Sequence, residues 1–305
     1  MLAADRTNNW TFGGSWPFEP RYFAADDGRL HYVDEGPRDG RPAVMLHGNP
    51  AWAYLYRRFI PALTAAGHRA IAIDLLGFGR SDKPAGADAY AIDRHVARVG
   101  ELLDSLDLRD ACLVVHDWGG PIGLPWAVRN PDRVARLMIL NTFAPRLPGP
   151  MGKGATLRML RTRALGEMIA TVRAGLTEDF LFKGGIVQGD RLDRDAKAAY
   201  RAPHPDRASR AGVIAFPRQV PLSGDTPVAA LTRETEAGLR NVFGSRPARI
   251  CWGMRDVLFG EAVLSLWTET LPGASVVRIE DAGHFVQEDA HERIVPQLLE
   301  LSSQA

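Results

Sequence analysis

The chain has 305 residues, 46% hydrophobic and 24% charged, ordinary globular values that exclude disorder as its main state. Its 37 basic and 36 acidic residues leave a formal charge of +1, which argues against nucleic acid as a partner, since phosphate binding needs a concentrated basic surface. The first twenty residues lack the apolar run of a secretory signal, and no stretch approaches the roughly 20 apolar residues of a membrane span, so the expectation is a cytoplasmic chain with no membrane span.

In chain order, residues 21–25 and 30–34 read as two strands joined by a turn at Asp26-Asp27-Gly28. Residues 43–47 and 70–74 are short continuous apolar runs, separated by an amphipathic stretch from Pro50 to Ala66. Residues 93–106 have helical spacing through Val96, Val99, Leu102, Leu103 and Leu106. Another buried run, 111–116, leads into a helix ending near Arg129, and 134–141 reads as a strand. A strand over 249–252, a helix over 262–271, a strand over 276–279 and a last helix over 290–301 complete the pattern. Continuous apolar runs separated by helices specify a mostly parallel sheet covered on both faces, an α/β fold. Cys112 and Cys251 lie inside such runs and read as buried small hydrophobes.

The rhythm breaks between 148 and 224, where the pattern is helical and no clear strand appears. This insert carries 13 Lys+Arg against 7 Asp+Glu, a charge of +6 that leaves about −5 on the remainder. The excess reads as the solvated face of surface helices. The expected organisation is a core of residues 1–147 and 225–305 with a helical cap of residues 148–224. Leu157, Leu160, Leu165, Met168, Ile169, Val172 and Leu176 fall near helical spacing and are expected to pack the cap onto the core. Phe180, Phe182 and Phe216 are candidates for an apolar pocket.

The most informative stretch is Val114-Val115-His116-Asp117-Trp118-Gly119-Gly120. A buried strand runs into a sharp turn and directly into a helix, with small residues two and three places after Asp117. That is the pattern of a nucleophile elbow, which lifts one side chain above the sheet edge. The plain alternative is an aspartate capping the next helix. A carboxylate at the elbow is ionised at neutral pH and needs no base to activate it. It suits displacement at a saturated carbon, and a base is needed afterwards to activate the water that hydrolyses the resulting ester.

His284, in Ala282-Gly283-His284-Phe285, stands late in the chain, where the order nucleophile, acid, histidine places the base. His47 and His116 flank motif residues and are expected to satisfy backbone hydrogen bonds. His31, His68, His95, His204 and His291 are expected to face solvent. The acid that orients the base belongs either at the end of the sixth strand, where Asn141 is neutral, or in the loop Trp252-Gly253-Met254-Arg255-Asp256, where Asp256 carries the charge needed to stabilise an imidazolium. Asp281 reads as a solvent-facing loop residue. His47-Gly48-Asn49-Pro50 follows the third strand, the usual source of a second oxyanion amide. The Asn49 carboxamide and the Trp118 indole are neutral donors that suit a halide leaving as an anion.

Four segments together resemble the haloalkane dehalogenases: residues 47–57, the run Gly77-Phe78-Gly79-Arg80-Ser81-Asp82-Lys83-Pro84, His116-Asp117-Trp118-Gly119-Gly120, and Gly283-His284-Phe285. The resemblance is specific in both halves of the core and weaker across the cap. It implies an α/β-hydrolase fold with an eight-stranded sheet, Asp117 as nucleophile, His284 as base, Asp256 as acid, and Asn49 with Trp118 as halide and oxyanion donors. The set is similar to the third dehalogenase subfamily. The subfamily with two halide-binding tryptophans draws the second from its cap, and the insert here contains no Trp. The expected partners are a small hydrophobic haloalkane, water and halide. No metal or other cofactor is expected. β-Lactone decarboxylases of olefin biosynthesis share the same five residues and form the alternative. Epoxide hydrolysis is a third reading, disfavoured because Tyr200 is the only tyrosine of the insert. A catalytically silent ligand receptor is a fourth.

Overall fold

The computed structural model describes residues 10–143, 174–220 and 226–304. Eight strands form one sheet: β1 (Arg21–Ala25), β2 (Gly28–Glu35), β3 (Pro42–Leu46), β4 (Arg69–Ile73), β5 (Ala111–Asp117), β6 (Val134–Thr142), β7 (Ala248–Gly253) and β8 (Ser275–Ile279). Their spatial order is β1-β2-β4-β3-β5-β6-β7-β8. β2 runs antiparallel to both neighbours, and the remaining pairings are parallel. The helices are α1 (Phe59–Ala65), α2 (Ile92–Ser105), α3 (Gly119–Arg129), α4 (Arg194–Arg201), α5 (Ala211–Gln219), α6 (Pro227–Gly238), α7 (Glu261–Thr270) and α8 (Val286–Ser303).

The apolar runs are continuous because both faces of the sheet are covered. Val44, Leu46, Ile71, Ile73, Leu113, Val115, Leu137 and Ile139 pack with α2, α3 and α7 on one face. Met45, Ala72, Cys112, Val114, Met138, Leu140 and Cys251 pack with α1 and α8 on the other. The period-two alternation of side chains assigns successive residues to opposite layers. Each fully buried Leu, Ile or Val contributes about 1.5–3 kcal/mol. Cys112 and Cys251 are buried and free, and burial pushes both thiols up to about 12. No described helix is long and apolar enough to cross a membrane.

Three features differ from expectation. α6 lies where no element is predicted. Thr226 caps it by accepting from the Ala229 amide, and Pro227 occupies its first turn, a start signal readable as Thr-Pro. The last helix begins at Val286 rather than 290, because Gln287, Glu288 and Asp289 are buried and partnered instead of forming an exposed loop. Finally, His31, His68, His95 and His204 are buried rather than solvent-facing. His31 pairs through Nδ1 with Asp74 at 2.7 Å, and His95 packs between the rings of Tyr90 and Phe216. Burial pushes the His95 and His204 imidazoles down to about 3, so both stay neutral. A turn or helix position in sequence says nothing about the tertiary cover it receives.

Of the residues expected to pack the insert, Leu157, Leu160, Leu165, Met168, Ile169 and Val172 lie outside the described residues, while Leu176 is buried. Between β6 and β7 the described chain is helical, with a π-helical stretch over Leu176–Gly185 followed by α4 and α5.

Candidate active site

Asp117 closes β5 with a left-handed φ of +49°, a conformation that costs a non-glycine residue about 1–2 kcal/mol. The helix that follows is not capped by its side chain. Its Oδ1 instead accepts from the Asn49 amide at 2.7 Å. Two glycines make room for the turn. A Cβ on Gly48 would lie 2.1 Å from Asp117 Oδ1, and one on Gly119 would lie 2.3 Å from the Leu46 carbonyl oxygen. Thr142 Oγ1 donates to the Asp117 carbonyl at 2.5 Å, fixing the turn against β6. Asp117 is 3% exposed, so its carboxylate stands in a space nearly closed to solvent.

His284 is fully buried and lies between two aspartates. Its Nδ1 donates to Asp256 Oδ2 at 2.9 Å, and its Nε2 stands 3.5 Å from Asp117 Oδ2. Nε2 has no hydrogen-bond partner. Burial works against a charged imidazole, but the carboxylates of Asp256 and Asp117 outweigh it and raise the His284 pKa to about 10. Burial likewise works against a charged Asp256, yet His284, the Leu258 amide and the Asn141 carboxamide hold it below the ordinary carboxylate range. The rings of Phe180, Phe259 and Phe285 surround the imidazole at centroid distances of 5.4, 5.4 and 4.8 Å.

Asn49 and Trp118 flank the carboxylate. Asn49 Nδ2 donates one hydrogen to the Val213 carbonyl of α5 at 3.0 Å, leaving the second N–H for another acceptor. Phe216, also on α5, stacks on the Trp118 ring at 5.0 Å and 18°. Phe180 and Phe216 therefore reach the neighbourhood of the five residues. Phe182 packs against Tyr200 instead. His47 and His116 serve the backbone. The Leu75 amide donates to His47 Nε2 at 3.0 Å, so His47 Nδ1 donates to the Gly48 carbonyl, and His116 Nε2 donates to the His284 carbonyl at 2.9 Å.

Asn141, considered above only as an alternative acid, is a partner of Asp256. Its Nδ2 donates to Asp256 Oδ2 at 2.9 Å, and its Oδ1 accepts from the Gly253 amide at 2.7 Å. The one available signal was its place at the end of β6. Asp281 is exposed and ion-paired with Arg293. A groove of about 700 Å³ opens between Lys83, Asp88 and α5 and contains none of the five residues. No group of three or more His, Cys, Asp or Glu able to hold a metal occurs among the described residues.

The chain is similar to known proteins over most of its length. The sequence model of the alpha/beta hydrolase fold matches residues 42–291. A haloalkane dehalogenase of Psychrobacter cryohalolentis is 38% identical, over 93% of this chain and 92% of its own. A cis-3-alkyl-4-alkyloxetan-2-one decarboxylase of Shewanella oneidensis is 34% identical, over 92% of this chain and 87% of its own. Among solved structures, haloalkane dehalogenase DbeA from Bradyrhizobium elkani superposes with a TM-score of 0.85 at 27% identity, over 94% of this chain and 98% of that one. With an aspartate rather than a serine at the elbow and relatives matched over nearly their full length, the chain belongs to the haloalkane dehalogenase family of α/β hydrolases.

Proposed function

We propose that this chain hydrolyses a carbon–halogen bond of a haloalkane through a covalent alkyl ester on Asp117, with His284 as base, Asp256 as its acid, and Asn49 and Trp118 as halide donors, the set of the third subfamily. The observation that carries the reading is the buried, unpartnered His284 Nε2 only 3.5 Å from the carboxylate of Asp117. An ionised aspartate does not need histidine to attack, so an imidazole held there suits activation of a later water. In this reading residues 148–224 form the cap that selects substrate, over a core of 1–147 and 225–305.

Asp117 Oδ1 is engaged by the Asn49 amide, so Oδ2 is the attacking oxygen. Oδ2 bonds to the saturated carbon, and the halide leaves with the bonding pair toward Asn49 Nδ2 and Trp118 Nε1. Esterification neutralises Asp117. One of the two carboxylates that hold a proton on His284 is thereby removed, that proton passes to solvent, and the neutral imidazole is free to act as base. His284 takes a proton from water, whose oxygen attacks Cγ of the ester. Oδ1 becomes the oxyanion, stabilised by the Asn49 amide. Collapse breaks the Cγ–Oδ2 bond, the alkoxide takes the proton from His284, and the new carboxyl proton passes to His284, restoring the resting imidazolium and carboxylate. The sum is alcohol, halide and one proton.

Purified protein is expected to release halide from bromo- and iodoalkanes, and Asp117→Ala to abolish that release. No halide across a broad panel would overturn the reading. The Shewanella oneidensis relative favours a second reading, β-lactone decarboxylation. Olefin formation from a long-chain cis-β-lactone, followed by gas chromatography, tests it in parallel. Epoxide hydrolysis is disfavoured because the Tyr200 hydroxyl donates to buried Glu288 and is committed to the join between α4 and α8. Failure to trap any covalent intermediate in a His284 variant would favour the receptor reading.

A further inference from the structure

We propose that Asp289 is a positioning residue for His284, fastening the loop that carries the base to residues 185–188 of the insert, so that hydrolysis of the ester depends on that contact while alkylation does not. The inference rests on the dehalogenase reading and deepens it. The Asp289 carboxylate is buried and accepts three backbone N–H groups. Oδ2 takes those of Gly283 at 2.7 Å and Val187 at 3.1 Å, and Oδ1 takes that of Gln188 at 2.7 Å. One of these donors immediately precedes His284 in the chain, and the other two belong to the insert. The residue after His284 is tied to the same place, since the Phe285 amide donates to the Gly185 carbonyl at 3.1 Å. Both flanks of the base are thus fastened to one short stretch of insert.

The fit is close. A Cβ on Gly283 would lie 2.6 Å from the Gly185 carbonyl oxygen, so only glycine allows this approach. The helix geometry of α8 is broken at Ala290, with φ −148° and ψ 30°, directly after the carboxylate that holds the loop. Arg191 reaches back from the insert and donates to the Asp289 carbonyl at 2.5 Å. Among the described residues no ion pair engages the Asp289 carboxylate. Its negative charge is spent on backbone amides, which a carboxylate can accept at both oxygens and an asparagine at only one. From the core side the same loop is held by His116 on the His284 carbonyl and by the Arg255 amide on the Ala282 carbonyl, each at 2.9 Å. The base is therefore located by core and insert together.

His284 has work only after the ester has formed, and this separates positioning from general support. A displacement of about 1 Å in a reacting group costs on the order of 100-fold. In rapid-quench experiments with a bromoalkane, Asp289→Asn and, more strongly, Asp289→Ala are expected to keep a halide burst within about twofold of wild type. Ester hydrolysis is expected to slow by about tenfold or more, with alkyl-enzyme accumulating by intact mass. Equal slowing of both phases, or wild-type rates in both, would overturn the proposal. Asparagine keeps size and one acceptor, so it decides the matter if the alanine variant does not fold. A second readout needs no turnover: the ring resonances of His284 should move in Asp289→Asn while those of His47 stay. Unmoved His284 resonances would also overturn the proposal. A wild-type protein that releases no halide would instead strike the dehalogenase reading itself.

Discussion

The turn carrying Asp117 and the loop carrying His284 are built in different ways. The turn is a local product of β5 and α3, kept in place by Gly48, Gly119 and Thr142, all from the sheet or its immediate neighbours. The loop is shared. His116 and Arg255 hold it from the core, and Gly185, Val187 and Gln188 hold it from the insert, the last two through Asp289. In the proposed reaction the nucleophile needs placement, whereas the base needs placement and a tuned pKa, and for His284 both come from residues far apart in sequence. The first half of the proposed reaction is thus a property of the core, and the second half a joint property of core and insert.

Breaking the turn should have the largest effect. Asp117→Ala is expected to reduce halide release by at least about 10⁴-fold, read with a halide-sensitive assay, and residual turnover near wild type would contradict the account. Breaking the loop should act differently. His284→Gln is expected to release one halide per site and then stall, with ester hydrolysis slowed about 10³-fold and the alkyl-enzyme visible by mass. Beside that loop, Arg57 and Glu288 form a buried ion pair, with the Arg57 Nη2 to Glu288 Oε2 contact at 2.8 Å. Glu288→Ala leaves the guanidinium uncompensated and should cost about 3–5 kcal/mol in urea unfolding. A loss below 1 kcal/mol would show that the pair is solvated.

Smaller effects sharpen the same contrast. Asn141→Leu removes a hydrogen bond to the charged Asp256 and should cost about 1.5–3 kcal/mol, while lowering the His284 pKa because Asp256 is then less firmly ionised. Stability should also depend on pH through His284. Its folded pKa is raised from 6.5 to about 10, so its contribution is complete below pH 6.5 and is lost as pH rises to about 10. The melting temperature is expected to fall over that window by more in wild type than in Asp117→Asn, which lacks one of the carboxylates raising that pKa.

The fold was legible because its signal is local. Apolar runs such as 111–116 are continuous only where a strand is covered on both faces, and β5 is buried along its whole length. The elbow was legible for the same reason, since strand, aspartate and glycines are consecutive. The structure brings Asp117, Asp256, His284, Asn49 and Trp118 together; their roles remain the proposal above. The roles of Asn141, beyond its place at the end of β6, and of Asp289 were not legible, because what each does depends on a partner more than 100 residues away in sequence, Asp256 for the one and Gln188 for the other. The burial of His31 and His95 is hidden from the sequence for the same reason. Their cover comes from Asp74 and from Phe216, on elements that no local pattern connects to them.

The claim on which all else depends is that Asp117 itself bonds to carbon. A single turnover of excess enzyme with a bromoalkane in ¹⁸O-labelled water tests it directly. The account predicts alcohol carrying unlabelled oxygen, drawn from Asp117 Oδ2, and label appearing in the peptide that contains residue 117. Labelled alcohol in that first turnover, with an unlabelled peptide, would mean that water attacks carbon without an ester and would contradict it.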